Sequence, residues 1–106
     1  MPREKFGTLT EQMFYILLCL LEERCGVDIM TLLEEMTGGR VKVGPGTLYN
    51  LLEEFAAADM IRETRAVGRK RSYIITEHGK EILQREQMRL TQMISDFDRF
   101  TKGENR

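Results

Sequence analysis

The chain has 106 residues, of which 42% are hydrophobic and 31% are charged, and its formal net charge is −1. This length supports one domain with a single modest core, and the composition excludes an intrinsically disordered chain. The overall charge indicates no particular partner, but the distribution of charge does. Residues 40–73 hold seven basic and four acidic side chains, a net charge of +3 within an otherwise acidic chain.

Cysteine usage and the first apolar run favour a cytoplasmic protein. Cys19 and Cys25 form no C-x-x-C pair, so we expect a core thiol and a free thiol rather than a metal cluster or a disulfide framework. The apolar run 13–21 is too short to span a bilayer. Glu22 and Glu23 follow it where a signal peptide would carry small residues, so neither a membrane nor a secretory route is expected.

The first predicted helix is apolar on all sides. Thr8 and Glu11 form a T-x-x-E capping box, which predicts a start near Leu9, and Gly26 predicts an end near Glu23 or Arg24. Residues 14–21 are nearly all apolar, and such a helix must be buried on more than one side. In so small a domain, one side would face the core and the other a second subunit. The residues predicted for that contact are Phe14, Leu17, Leu18 and Leu21.

A helix-turn-helix with a long turn is predicted next. The second helix spans about residues 27–36, and the alternation in residues 40–43 indicates a brief extended piece. Pro45 suits the first position of a third helix with Gly44 as its N-cap, and apolar residues recur at 48, 51, 52 and 55. Its exposed first turn is small and polar, with free N–H groups that favour an anion. Such a helix can lie in a nucleic-acid groove while its apolar stripe holds the core.

A basic hairpin and a long helix complete the chain. Residues 60–65 and 71–76 read as strands joined by a turn at Gly68, with a cluster of cations at the tip. Thr76 caps a last helix that extends to about Phe100 and overhangs the core. Its apolar residues fall near heptad spacing, which indicates a second copy as partner. The residues predicted for that contact are Leu83, Leu90, Met93, Ile94 and Phe97.

The predicted fold class is mainly α with a small β-hairpin: a winged helix-turn-helix with an N-terminal helix and a long C-terminal dimerisation helix. Residues 1–76 would form the DNA-binding domain, and residues 77–106 the dimerisation helix and a frayed tail. Over about residues 9–90 the sequence resembles the PadR family of transcriptional regulators. The segments that carry the resemblance are residues 9–10, 14–18, 37–42, 44–49, 71–73 and 76–80.

The resemblance implies a homodimer that binds a pseudo-palindromic operator, represses transcription and is often released by a small molecule. By position the resemblance assigns residues of the recognition helix and of the wing to DNA binding. To these we add Gly46 and Arg65. The residues predicted to bind DNA are Lys42, Gly46, Thr47, Tyr49, Asn50, Arg65, Arg69, Lys70 and Arg71. A hydrophobic effector pocket between the subunits is predicted at Phe14, Leu18, Met93 and Phe97.

Several alternatives stay open in the sequence. Tyr49 could extend the core stripe instead of reaching a phosphate, and Tyr73 is expected in the core. The near-neutral charge and the pair Glu53 and Glu54, expected to face away from the duplex, also allow a winged-helix protein-interaction module without DNA binding. No enzyme, cofactor or metal is expected, because the single histidine, His78, fits a solvated first helical turn and no nucleophile lies beside a base.

Overall fold

A computed structural model describes residues 6–68 and 70–102. Four helices surround a core, and an antiparallel hairpin follows the third helix, which confirms the predicted architecture. The helices are α1 (Glu11–Cys19), α2 (Gly26–Met36), α3 (Pro45–Ala57) and α4 (Glu77–Thr101). The strands are β1 (Arg24–Cys25), β2 (Ile61–Val67) and β3 (Lys70–Ile75).

The sheet has a third strand that the sequence pattern did not indicate. Its order is β1-β3-β2, and in β1 Arg24 lies opposite Tyr73. The register of β2 against β3 shifts between Glu63 and Arg65, so the intervening Thr64 forms a β-bulge. Beyond the bulge, Arg65 lies opposite Ser72. The bulge therefore turns Arg65 to the face of the hairpin opposite to Arg71.

Helix α1 begins later than predicted. Thr10 is its N-cap, and its Oγ1 accepts a hydrogen bond from the Met13 N–H at 3.2 Å. The predicted start near Leu9, with Thr8 as cap, is wrong, because Thr10 rather than Thr8 takes the extended conformation of the N-cap. Leu9 before it is buried, and its N–H donates to the Glu86 carboxylate.

Helix α1 also ends earlier than predicted, at Cys19 rather than near Arg24. The chain leaves the helix because β1 must pair with β3, and the Leu20 carbonyl accepts the Ile75 N–H at 2.8 Å. Arg24 Nε donates to the Cys19 carbonyl at 2.8 Å, which satisfies one of the carbonyls at the end of the helix. Gly26, predicted as the stop of α1, is instead the first residue of α2.

The core is formed by α1, α2, α3, the sheet and the first turns of α4. Two residues predicted at the dimer contact belong to it, because Leu17 and Leu83 are buried within the single chain and offer no surface to a partner. Cys19 and Tyr73 are buried, as predicted. The side chains that are fully buried are Ile16, Leu17, Cys19, Leu20, Ile29, Leu33, Leu48, Leu52, Phe55, Met60 and Ile61.

Helix α4 extends well beyond this core. Its 25 residues correspond to about 37 Å at 1.5 Å per residue. Beyond Glu86, its last buried residue, Met88 is exposed on one side, and four further large apolar side chains are exposed nearer the end of the helix. These are Met93, Ile94, Phe97 and Phe100. We call them, together with the half-buried Leu90, the α4 stripe.

A buried carboxylate fastens α4 to the start of α1. Glu86 is only 3% exposed, and its carboxylate accepts hydrogen bonds from the Arg89 guanidinium, with Nε at 3.0 Å, and from the Leu9 N–H. The bonds from Arg89 lower the pKa of the Glu86 carboxyl, and the Leu9 N–H acts in the same direction, whereas burial opposes them. A group with a lowered pKa stabilises the fold above its unfolded pKa, about 4.3, and loses that effect as pH falls through the folded pKa.

We therefore expect Glu86→Gln to make stability less dependent on acidification. The wild-type free energy of unfolding should fall as pH drops below about 5, because protonation removes the charged acceptor. The variant should be less stable than wild type at pH 7, by about 1–3 kcal/mol, and its free energy of unfolding should change less between pH 7 and pH 3.5. Urea unfolding at both pH values measures this, with the exposed Glu35→Gln as control. Parallel wild-type and Glu86→Gln pH profiles would contradict the assignment.

Candidate nucleic-acid interface

The turn between α2 and α3 is built around Thr37. Its buried hydroxyl donates to the Leu33 carbonyl at 2.9 Å and accepts the Val41 N–H at 3.1 Å. Gly38 and Gly39 follow with φ of +60° and +79°, a backbone conformation that glycine adopts at little cost. The turn therefore has one defined path from α2 to α3.

After this turn the chain alternates inward and outward, as its sequence predicted. Val41 and Val43 are buried, and Lys42 between them is exposed. Gly44 is the N-cap of α3 and Pro45 its first residue, also as predicted. The apolar stripe of α3 is buried, which leaves its other side at the surface. The predicted DNA-binding residues on that exposed side are Gly46, Thr47, Tyr49 and Asn50.

Tyr49 packs against the start of α2. A Cβ atom placed on Gly26 would lie 2.4 Å from the Tyr49 hydroxyl oxygen, so only glycine allows the ring to approach this closely. Tyr49 nevertheless stays 46% exposed, which rules out the alternative that it is a core residue. The role of Gly26 was missed in the sequence, because nothing local indicates that a side chain 23 residues later would cover it.

The start of α2, Tyr49 and the hairpin line one open cavity of about 300 Å³. Lys70 and Arg71 contribute the cations, while Gly26 and Val27 contribute the first turn of α2. Within the described residues, the side chain of the N-cap residue Cys25 makes no capping hydrogen bond to that turn. Free N–H groups at a helix start attract anions, and the two cations reinforce this preference. The cavity therefore suits a phosphate group.

A second cleft of about 380 Å³, between α3 and the hairpin, has a mixed charge. Arg71 lines it and forms an ion pair with Glu63, with Nη1 3.6 Å from Oε1. Glu53 also lines the cleft and lies one helical turn after Tyr49 on the same face, so our expectation that Glu53 faces away from this surface is wrong. Burial raises the pKa of Tyr73, with Glu63 adding to it and Arg71 opposing it, so the phenol is neutral at pH 7.

The remaining hairpin residues divide between the two faces. Gly68 turns the chain with φ of +62°, and Lys70 beside it is exposed. Arg65 lines a cavity of about 330 Å³ on the other face, together with the cations Arg24 and Lys70 and the carboxylates Glu23 and Asp28. Lys70 therefore borders both this cavity and the one at Tyr49. The two carboxylates offset only part of the positive charge of these three cations. Arg69, which we predicted to bind DNA, lies outside the described residues.

Other kinds of site have little support in the described part of the chain. No group of His, Cys, Asp and Glu side chains among residues 6–68 and 70–102 could hold a metal ion. Burial raises the pKa of the Cys19 thiol, which keeps it protonated and unreactive. His78 is exposed in the first turn of α4, as predicted. Among the described helices, none combines the length and apolar character needed to cross a bilayer.

Comparison with solved structures finds the same fold in other proteins. The chain resembles RosR of H. salinarum, with 28% identity and a TM-score of 0.66, over 91% of this chain and 87% of that one. The RosR-S1 complex structure gives a TM-score of 0.67 at the same identity, over 91% of this chain and 86% of that one. A transcriptional regulator from Clostridium thermocellum shares the fold, with 21% identity and a TM-score of 0.65, over 78% of this chain and 88% of that one.

A curated relative and a family model extend the comparison to the sequence itself. An uncharacterised 37.1 kDa protein of transposon Tn4556 from Streptomyces fradiae is 36% identical over 61 residues, which are 58% of this chain. This chain spans only 17% of the length of that relative. The model of the transcriptional regulator PadR-like family matches residues 16–85, which is more than half of the chain. The chain therefore belongs to the PadR-like family of transcriptional regulators.

Proposed function

We propose that this regulator is a homodimeric, cytoplasmic repressor that binds a pseudo-palindromic operator in double-stranded DNA. The observation that carries the proposal is the cavity where Tyr49, the start of α2 and two hairpin cations converge. A DNA phosphate has the charge and the acceptor oxygens that this arrangement would bind. The family and the RosR likeness support a DNA-binding regulator in general.

In this proposal α3 lies in the major groove. Thr47 and Asn50 are exposed in its first two turns, where a recognition helix contacts base edges. An asparagine can bind adenine through two hydrogen bonds, so Asn50 is our candidate for direct base readout. The hairpin would reach the backbone or the adjacent minor groove with Lys70 and Arg69. In a two-fold dimer, two such helices would read half-sites about 34 Å apart.

The α4 stripe supports the homodimer. It is a continuous apolar surface on a helix that projects beyond the core. The half-buried Phe14 and Leu18 on α1 and the exposed Leu21 just after it add apolar surface. A surface of this kind is normally covered by a partner, most simply by a second copy. Release by a small hydrophobic effector is a further proposal. It depends on the dimer, because Met93 and Phe97 lie on the overhang, where a second chain would have to close the pocket.

The hairpin cations give the test of DNA binding. Wild-type protein should bind a random 24-base-pair duplex at low salt with a Kd of about 1 µM or tighter, and log K should fall linearly with log salt. Lys70→Ala combined with Arg69→Ala should weaken binding similarly on all sequences and lower the slope by about one per lost phosphate contact. Fluorescence anisotropy at several salt concentrations measures both quantities. Lys80→Ala, which removes a cation paired with Glu77 on α4, is the control.

A winged-helix protein-interaction module is the second candidate, and a specific observation favours it. Glu53 and Glu63 line the cleft beside the recognition helix, where they would repel phosphates. The titration above separates the two functions. Absence of salt-dependent binding to the random duplex would favour the interaction module. An unchanged slope in the double variant would instead remove only the hairpin from the DNA contact.

A further inference from the structure

One side of α1 contacts the turn that precedes the recognition helix. Gln12 Nε2 donates a hydrogen bond to the Lys42 carbonyl oxygen at 2.8 Å. Arg40 Nη2 donates to the Tyr15 hydroxyl at 2.9 Å. Gln12 and Tyr15 are three residues apart in a helix and therefore lie on the same face. Both bonds reach the same short segment, residues 40–42, from the same direction.

Contacts with the core and with Thr37 already fix the rest of this segment. Val41 and Val43 are anchored in the core, and Thr37 holds the Val41 N–H. Arg40 Nη1 also donates to the Thr37 carbonyl at 3.3 Å. Gln12 adds a bond to the carbonyl of Lys42 itself. The side chain of Lys42 projects from the surface into solvent. Tyr15 is held in turn by its edge-to-face contact with Phe14, with ring centroids 5.6 Å apart.

We propose that Gln12 and Tyr15 are positioning residues for DNA binding, which do not touch DNA themselves. They act through Lys42 and through Arg40, a second exposed cation two residues before it. This inference rests on the proposed function. A lysine side chain loses conformational freedom when it binds a phosphate, and a fixed backbone reduces the number of conformations that must be lost. The bond from Gln12 therefore increases the affinity that Lys42 contributes. The same bond makes α1 a mechanical support of the DNA-binding face.

A double-mutant cycle tests the proposal on the full chain. Gln12→Ala, Lys42→Ala and the combined variant are titrated with the random duplex at low salt. For Gln12→Ala in the wild-type background we expect a Kd weaker by about 3- to 10-fold, because residues 40–42, which the bond orders in the free wild-type protein, must then be ordered on binding. In the Lys42→Ala background the same change should have less than about a 2-fold effect, because the side chain that Gln12 positions is gone.

Tyr15→Phe provides a second variant that removes one oxygen atom and keeps the ring contact. It should weaken binding alone and have little effect when Arg40→Ala is already present. Gln84→Ala, an exposed glutamine on α4, is the matched control and should leave Kd unchanged. A thermal unfolding scan checks that each variant is folded. If Gln12 had only a structural role, its substitution would weaken binding equally with and without the Lys42 side chain.

The outcomes separate this inference from the proposed function. Equal effects of Gln12→Ala with and without Lys42, or no effect in the wild-type background, would overturn the positioning role while DNA binding stands. A wild-type protein that fails to bind the duplex would overturn the proposed function itself. Coupling of Gln12 to Lys42 together with coupling of Tyr15 to Arg40 would establish α1 as the support.

Discussion

Phe97→Asp is expected to convert the proposed dimer into monomers and to weaken DNA binding by about two orders of magnitude. Phe97 is 59% exposed in the single chain, and it lies on the α4 stripe beyond the last buried residue of the helix. Burial of a phenylalanine contributes about 1.5–3 kcal/mol to the free energy of association, and in a two-fold interface the same side chain is buried in both copies. Two carboxylates in that interface would add a desolvation cost.

Sedimentation velocity measures the change in mass, and anisotropy with the duplex measures the change in affinity. A monomer presents one recognition helix, so it loses the gain in effective concentration that a second linked site provides. Met88→Asp is the matched control, because Met88 is 62% exposed on the opposite side of α4, about two and a half turns earlier. A Phe97→Asp protein that sediments as a dimer would exclude the α4 stripe as the interface.

Phe97 is a better test than Leu90, which also belongs to the stripe. Leu90 is half-buried and lines a cavity of about 230 Å³ between α1 and α4, together with Phe14 and Glu86. An aspartate there would disturb the packing of α1 within one chain, and loss of the dimer could then follow from loss of the fold. Phe97 lies outside that packing, so its substitution reports on the interface alone.

Helix α3 could be predicted almost to the residue because its limits are set by local chemistry. Pro45 lacks the N–H that a first helical position leaves unbonded, and Gly44 before it takes the extended conformation of an N-cap. At the other end α3 stops at Ala57, and Asp59 two residues later has φ of +60°, which is outside the helical region. The hairpin and α4 followed from the same kind of signal, the alternation of β2 and β3 and the cap at Thr76, whose Oγ1 accepts the Gly79 N–H.

The errors fall where distant segments decide the structure. Nothing local to Arg24 predicts a strand, because β1 exists through its pairing with β3, about fifty residues later. The same pairing ends α1 after nine residues, although its apolar pattern continues. Burial of Leu17 in the single chain likewise could not be read from a helix that is apolar on all sides. In each case a tertiary contact overrode a local pattern.

The candidate site shows the same division. The polar first turn of α3 and the cations of the hairpin were visible as patterns in the sequence. Gly26 beneath Tyr49 and Gln12 on the Lys42 carbonyl were not, because each pairs residues more than twenty positions apart. The sequence held one weak signal for the contact with Tyr49, the glycine at position 26. We assigned this glycine to the end of α1, whereas it is the first residue of α2.

Gly79→Ala is expected to be the most destabilising single change at a glycine of this chain. Gly79 lies in the first turn of α4, and a Cβ there would be 2.1 Å from the Met60 carbonyl oxygen and 2.7 Å from Ile75 Cγ1. The Met60 carbonyl cannot easily move, because it accepts the Thr76 N–H at 2.9 Å. Thr76 Oγ1 in turn donates to the Asp59 carbonyl at 2.6 Å.

The alanine can therefore be accommodated only if the start of α4 moves away from the base of the hairpin. We expect a loss of about 2–4 kcal/mol from this strain, after the gain of about 1 kcal/mol that alanine brings to a helix. The midpoint of thermal unfolding should fall by about 10–20 °C, measured by circular dichroism at fixed protein concentration. Gly46→Ala in α3 is the control, since no described atom beyond its chain neighbours and its own helix backbone lies within 4 Å of a Cβ there. It should raise the midpoint by a few degrees or leave it unchanged, because the helical gain is then not opposed by strain.

Equal midpoints for Gly79→Ala and wild type would mean that α4 is free to shift against the hairpin. That result would also weaken the proposed DNA contact. The hairpin carries Lys70 and Arg71 into the cavity with Tyr49, and its base is held by this junction between Met60, Thr76 and Gly79. A junction that moves to accommodate one methyl group could not hold the hairpin at a fixed distance from α3. The hairpin and α3 need that fixed distance in order to contact the DNA backbone and the adjacent groove at the same time.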